Sequence, residues 1–271
     1  MTDNTHSNKK KSVKKPLLII VGSLLAIILI AVVVVASITD KNVKAMNQCV
    51  DSVLATLDEH YMVTPVDIGD SSTLSIYGIM NFDVEQYDIK DIGNLSIMRM
   101  NMGVMQMATI VITPQDKNLP LLSADYMYIL ANRKAYLEFY DVVKEKDSVY
   151  TDLLGALQKS ADNYSHLEDI TPSEAWYEHL LTVTTYKSGS FDADKDLEKL
   201  LTDSLNTYLT HAKKLPLLSD TERQEKLAIT VEYTDGLIEK GGVSTDVFKD
   251  ALGEEATKQF FDDIFFGTNT L

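Results

Sequence analysis

One acidic residue, Asp125, stands in an apolar and aromatic stretch where aspartate is unusual. It follows Leu119-Pro120-Leu121-Leu122-Ser123-Ala124 and opens a run rich in Tyr, Met, Ile and Leu. Aspartate is disfavoured in strands, so its presence needs a reason. It could be a turn residue that bonds to the backbone after Ser123, which spacing alone favours. It could also be a carboxyl group at an apolar pocket, where desolvation raises its pKa until it can deliver protons.

Five methionines are a second candidate for chemistry, because they alternate as side chains of strands do. Met98, Met100 and Met102 share one face of a predicted strand, and Met105 and Met107 share one face of the next. Three interpretations are open. They could fill an irregular core, line a pocket for a large and flexible apolar ligand, or bind a soft metal, since thioethers select Cu(I).

The motifs of several enzyme classes are missing. The sequence contains no Gly-rich phosphate loop, no HExxH, no G-x-S-x-G and no CxxC. Four scattered histidines show no metal-ligand spacing, so no metal site is predicted: His60, His166, His179 and His211. The single cysteine, Cys49, excludes an intrachain disulfide, which in an exported protein suits a bacterial envelope.

The N-terminal segment is predicted to be a membrane anchor. Five lysines precede Pro16, and residues 17–38 carry no charge. As a helix this span measures roughly 33 Å, enough to cross a bilayer core of ~30 Å. A cleaved signal peptide is the alternative, but its apolar region is typically about 7–15 residues long. By the positive-inside rule we expect a cytoplasmic tail at 1–15, a signal anchor at 16–39 and an extracytoplasmic domain at 40–271.

The charge balance excludes one class of partner. The net charge is -15, and the first 39 residues hold five lysines against one aspartate, so the remaining domain is more acidic than the whole chain. Such a domain is repelled by nucleic acid and by anionic lipid. We therefore predict no nucleic-acid partner.

Strand-like segments surround Asp125. Residues 95–102 alternate, Gly103 interrupts them, and 104–112 resume; residues 124–131 and 134–143 form a second pair across Asn132-Arg133. Such short connections imply an antiparallel meander. In its last strand, the two faces are predicted to carry Ala135, Leu137 and Phe139 on one side and Tyr136, Glu138 and Tyr140 on the other.

Helices are predicted on both sides of this meander in the chain. One covers residues 42–60 before a connector at 61–70, a strand pair or one bent strand at 72–82, and a loop at 87–93. Others cover 149–164, 194–213 and parts of 243–266, and two start at capping boxes at Thr171 and Ser219. This order predicts an α+β fold: a three-layer α/β/α sandwich with a central antiparallel sheet, preceded by one transmembrane helix.

Two segments resemble the ferredoxin-dependent bilin reductases, a family that includes the phycobilin and phytochromobilin synthases. The turn from Leu119 to Asp125 is similar to the family's L-P-x-x-[GS]-x-D turn, whose aspartate protonates the bound bilin. The C-terminal run from Phe248 to Ala256, with Phe265-Phe266, is similar to the family's closing helix and terminal L-F. The resemblance covers roughly residues 74–266 and implies the same α/β/α sandwich.

The resemblance implies a function and also shows departures. It implies that Asp125 is the proton donor to a linear tetrapyrrole or another apolar small molecule, with Met105, Met107 and Thr109 lining the pocket. The family holds no cofactor and takes electrons from an iron–sulfur redox partner protein. Thr109 stands where many members have histidine, and two further family acids have no counterpart. A non-catalytic ligand-binding or protein-interaction domain is therefore the alternative.

Overall fold

The computed structural model describes residues 14–269, with side chains described from residue 27 onward except at 243 and 244. The helices are α1 Lys14–Asp58, α2 Ser148–Asp162, α3 Asp194–Ala212, α4 Asp220–Lys240, α5 Val243–Leu252 and α6 Glu254–Phe260, followed by a π-helical turn Phe261–Phe265. The strands are β1 Val63–Val66, β2 Thr73–Ile76, β3 Met80–Ile89, β4 Gly93–Met102, β5 Met105–Pro114, β6 Leu121–Ile129, β7 Asn132–Tyr140, β8 Glu168–Asp169 and β9 Leu181–Gly189.

Within the described residues, the strands form one nine-stranded antiparallel sheet. Its order is β1-β3-β4-β5-β6-β7-β9-β8, with β2 also pairing with β3. The predicted meander is confirmed, because β3 to β7 follow one another in the chain and pair as neighbours. Strand β6, which carries Asp125, lies near the middle of this sheet.

Alternating side chains divide the sheet into two buried faces. On one face, apolar residues of β4 to β7 pack with α1, α2 and α3. On the other face, residues such as Phe82, Met98 and Met100 pack with α4, α5, α6 and the π-helical turn. The predicted opposite orientation of Leu137 and Tyr136 on β7 follows from the same alternation. Helices therefore cover both faces of the antiparallel sheet, as the predicted fold class requires.

Three expectations from the sequence were wrong. In each case the pairing of a strand with its neighbour in the sheet explains the error. The predicted connector at 61–70 contains strand β1, whose Pro65 is tolerated because β1 is an edge strand. The predicted loop at 87–93 is shortened because β3 continues to Ile89 against β4. Thr171 starts no helix; a single 3-10 turn at Glu178–Leu180 is followed by β9, which pairs with β7.

Helix α1 joins two segments that were expected to be separate. It runs from Lys14 to Asp58 without a break, and its C-terminal part packs on the sheet through residues such as Val50 and Leu57. In the part of the chain that the structure describes, no helix is both long enough and apolar enough to cross a membrane. The expected anchor begins among residues whose side chains lie outside that description, and most of the basic tail lies outside it altogether. The anchor stays a prediction.

Candidate functional site

Asp125 lies inside strand β6 and not in a turn. Its direct neighbours are Thr109 on β5 and Tyr136 on β7, both on the sheet face that carries α4 to α6. The Thr109 hydroxyl donates a hydrogen bond to Asp125 Oδ1 at 2.5 Å. The turn role for Asp125 is therefore excluded, and Thr109, which was expected to line a pocket with it, contacts it directly.

The surroundings of Asp125 favour its protonated form. Desolvation by burial raises its pKa from 3.8 to about 6, the Thr109 hydrogen bond opposes that rise, and the charge of Glu138 adds to it. The residue as a whole is only partly buried, so part of it is exposed at the surface. A carboxyl group with this pKa can hold and release a proton close to neutral pH.

Glu138 is a second carboxylate at this site, and it was not among the site residues predicted from the sequence. It lies on β7 opposite Ser123, on the same face as Asp125. The Tyr140 hydroxyl donates to one of its oxygens at 2.5 Å, and the Tyr186 hydroxyl of β9 donates to the other at 2.7 Å. The alternation of Tyr136, Glu138 and Tyr140 was the available signal, but it placed these residues only on one face of a strand.

A cluster of aromatic residues lies near the two carboxylates. Tyr233 of α4 lies with its ring centroid 4.8 Å from that of Tyr140, and Tyr177 lies edge-on to Tyr233 at 6.1 Å. Trp176 follows in the same cluster, where its indole Nε1 donates to the carbonyl oxygen of Gly241 at 2.9 Å. Its ring can approach α4 because residue 236 is glycine, where a Cβ atom would come within 2.3 Å of the ring.

Two of the five methionines lie in the core, and the other three lie partly exposed on the Asp125 face of the sheet. Met98 and Met100 are buried, so the core interpretation holds for them. Met102, Met105 and Met107 are partly exposed on the Asp125 face, and Met107 pairs with Met127 of β6. The structure therefore brings Met105 and Met107 to the same sheet face as Asp125 and Thr109, as expected from the sequence.

Buried lysines fix the connection that leads into β6. Lys226 of α4 donates to the carbonyl oxygens of Leu119 at 2.7 Å and Val142 at 3.2 Å. Lys117 donates to the carbonyl oxygens of Ala212, the last residue of α3, and of Leu215 just beyond it. These bonds hold the Pro120 segment against both helical layers, and so set where β6 begins.

Two grooves on the surface do not include Asp125. One lies between α2 and α3 and is lined by polar residues such as Asp203 and His211. The other lies beside β8 and β9 and is lined by residues such as Asp169 and Lys187. The Asp125 face is the better candidate site, because Asp125 has a raised pKa there and Glu138 lies on the same face.

Comparison with protein-family models found no match, and comparison with curated proteins found none either. A solved structure does match: phytochromobilin synthase from tomato in complex with biliverdin. The TM-score is 0.66 at 14% sequence identity, over 82% of this chain and 83% of that one.

This chain shares its fold with phytochromobilin synthase. That enzyme is a ferredoxin-dependent bilin reductase, so the fold expected from the resemblance is confirmed. At this identity the match shows the fold alone. The activity has to be argued from the residues of the site.

Proposed function

We propose that this protein binds a linear tetrapyrrole on the Asp125 face of its sheet and reduces it, with Asp125 as the proton donor. The observation that carries the proposal is the Asp125 carboxyl group, whose pKa of about 6 allows proton donation on an accessible sheet face. The shared fold supports the ligand class, because the tomato enzyme contains biliverdin.

The reaction must balance electrons and protons. Reduction of one carbon–carbon double bond of a bilin takes two electrons and two protons. In this proposal Asp125 delivers one proton to the bound ligand and solvent delivers the other, while an external iron–sulfur protein supplies the electrons one at a time. The protein itself then needs only to bind the ligand, orient it and supply the proton.

Residues around Asp125 suit a flat and largely apolar ligand. Met105, Met107 and Met127 offer polarizable side chains that adapt to an irregular surface. The Thr109 hydroxyl fixes the orientation of the carboxyl group, and no other hydrogen bond to this group is found among the described residues. We assign substrate binding to Met105, Met107 and Thr109 on this basis.

Location at a membrane is part of the proposal. Large apolar side chains between Ile27 and Val35 of α1 are all exposed, which is costly in water for so long a run. We propose that this part of α1 belongs to a single-pass anchor, with the N-terminus in the cytoplasm and the domain outside. The electron donor must then be an extracytoplasmic protein.

A non-catalytic binding domain is the second candidate function. The Thr109 hydrogen bond favours it, because this bond occupies one Asp125 oxygen and lowers the pKa of the carboxyl group. A carrier or sensor would bind the tetrapyrrole in the same place without passing protons to it.

An anaerobic titration of the purified full-length protein with biliverdin separates the candidates. A saturable change in the visible spectrum, followed by bleaching when a low-potential iron–sulfur donor is added, is expected for the enzyme. Asp125→Asn should keep the binding change and lose the bleaching, whereas Asp83→Asn, an exposed aspartate on β3, should keep both. Binding without reduction in the unaltered protein supports the carrier, and no spectral change rules out both.

A further inference from the structure

We propose that Glu138 is the positioning residue of this site. Fixed between two tyrosine hydroxyls, it places a negative charge beside Asp125 and favours proton uptake by the Asp125 carboxyl group. This inference rests on the proposed function and assigns a role to a residue that touches neither ligand nor electron donor.

The sheet register places the two acids side by side. Asp125 lies opposite Tyr136, and Glu138 lies opposite Ser123, so the acids are diagonal neighbours on adjacent strands and point to the same face. Diagonal neighbours of this kind lie about 7–8 Å apart between backbones, within reach of longer side chains. At that separation, and partly out of water, one charge acts on the other.

Two hydrogen bonds hold the Glu138 side chain in place. Tyr140 donates to Oε2 and Tyr186 donates to Oε1, so each oxygen has its own donor. Hydrogen bonds donated to a carboxylate are short and favour its charged form. Both hydroxyls keep their protons, because burial and then neighbouring groups that include Glu138 raise the pKa of Tyr140 and Tyr186.

The charge of Glu138 has no cationic partner. Among the described residues, no lysine or arginine forms an ion pair with Glu138 or Asp125. The other groups that face the two acids are four tyrosines and one threonine: Tyr136 on β7, Tyr186 on β9, Tyr177 before β9, Tyr233 on α4 and Thr109 on β5. Burial raises the pKa of Tyr177, Tyr186 and Tyr233, so these three hydroxyls keep their protons. The negative charge of Glu138 therefore acts on Asp125 without being cancelled.

The two acids thus have different tasks. A pair of carboxyl groups whose surroundings push their proton affinities apart can serve as a donor and a charged partner. Asp125 has one hydroxyl donor, whereas Glu138 has two. We therefore assign proton delivery to Asp125 and the fixed charge to Glu138.

Glu138→Gln tests the inference without any ligand. Infrared or carbon-13 NMR titration of labelled aspartates in the full-length protein follows Asp125, which Asp125→Asn identifies. Removing the charge while keeping the shape should lower the Asp125 titration midpoint by about half a unit to one unit. Glu138→Asp keeps the charge and should restore most of that shift.

Glu85→Gln is the matched control. Glu85 also lies on a strand and accepts a tyrosine hydrogen bond, from Tyr87 at 2.6 Å, but it pairs with Arg99 on the opposite sheet face. It should leave the Asp125 midpoint unchanged. An unchanged midpoint in Glu138→Gln, or an equal shift in both variants, would overturn the inference.

The pH profile of tetrapyrrole reduction provides a second readout. Reduction requires protonated Asp125, so the rate falls as pH rises through its midpoint, and in Glu138→Gln that fall should move to lower pH by the same shift. If the protein reduces no tetrapyrrole, the proposed function fails, while the ligand-free titration still decides the role of Glu138.

Discussion

At the scale of single residues, Asp125 on β6 and Glu138 on β7 are diagonal neighbours on one face of the sheet. Asp125 was conspicuous because aspartate is disfavoured in strands. Glu138 alternates with Tyr136 and Tyr140 as any polar residue on a solvated face would. The pattern therefore did not reveal which side chains bind its carboxylate. The donor that explains it, Tyr186, comes from β9, a strand that the sequence did not predict.

Asp125→Asn should stabilise the protein at alkaline pH. Burial raises the folded-state pKa of Asp125 from 3.8 to about 6, so ionising it costs stability as pH rises through 6. About two units correspond to ~3 kcal/mol, which partial exposure reduces to about 1–2 kcal/mol. Urea unfolding should show this gain at pH 8 and almost none at pH 3.5, where the wild-type carboxyl group is also neutral.

Asp83→Asn is the control for that measurement, because Asp83 is an exposed strand residue. It should change stability little at either pH. A gain from Asp125→Asn that is equal at pH 8 and pH 3.5 would show that Asp125 is not held in its protonated form by the fold.

At the scale of elements, local signals succeeded where contacts are local. The capping box at Ser219 was predicted and is present, with Ser219 and Glu222 each bonding the backbone of the other. Thr171 offered a similar pattern but starts no helix, because β9 finds its partner in β7, more than 40 residues earlier in the chain. The capping signal depends only on neighbouring residues and contains no information about the stability that β9 gains by pairing with β7. A strand was therefore mistaken for a helix.

Lys226→Met tests how α4 holds the connection before β6. Burial lowers the folded-state pKa of Lys226 from 10.5 to about 7, so its charge costs stability increasingly as pH falls from 10.5 towards 7. Methionine avoids that cost but leaves the Leu119 and Val142 carbonyl groups without a donor at every pH. Denaturant unfolding should therefore favour the variant over wild type by roughly 2–4 kcal/mol more at pH 6.5 than at pH 10.5.

Lys214→Met, at an exposed lysine after α3, serves as the comparison. Its stability relative to wild type should be nearly constant over the same pH range. If Lys226→Met behaves in the same way, the Lys226 amine is not desolvated.

At the scale of the whole molecule, polar side chains of β3 and β4 bind the C-terminal segment to the Asp125 face of the sheet. We call this group of hydrogen bonds the polar clasp. Asn94 on β4 donates to the carbonyl oxygens of Ile264 and Phe265, and Ser96 also donates to Phe265. Gln86 on β3 donates to the Asp263 carbonyl oxygen and to Asn94. These bonds tie the π-helical turn to strands near the opposite end of the chain. The sequence predicted the aromatic cluster of this segment but not the polar residues that hold it.

Asn94→Ala should loosen this clasp. It removes a buried side chain that makes three hydrogen bonds, which should cost about 2–3 kcal/mol of unfolding free energy. Limited proteolysis should then cut between residues 254 and 269 sooner than in wild type. Asn81→Ala, at an exposed position on β3, should do neither. Unchanged proteolysis in Asn94→Ala would show that the aromatic packing alone holds the segment.

The hydrogen bonds of this clasp can form only late in the synthesis of the chain. Asn94 and Phe265 are 171 positions apart, which at about 5–20 residues per second is roughly 10–30 s of translation. Helix α1, which covers the opposite face, is made before any strand. Until α4 and the segments after it are made, Met98, Met100 and Phe82 have no helix to pack against, so the nascent chain exposes an apolar sheet face. Chaperones that bind nascent chains should therefore bind this face far more often than the other.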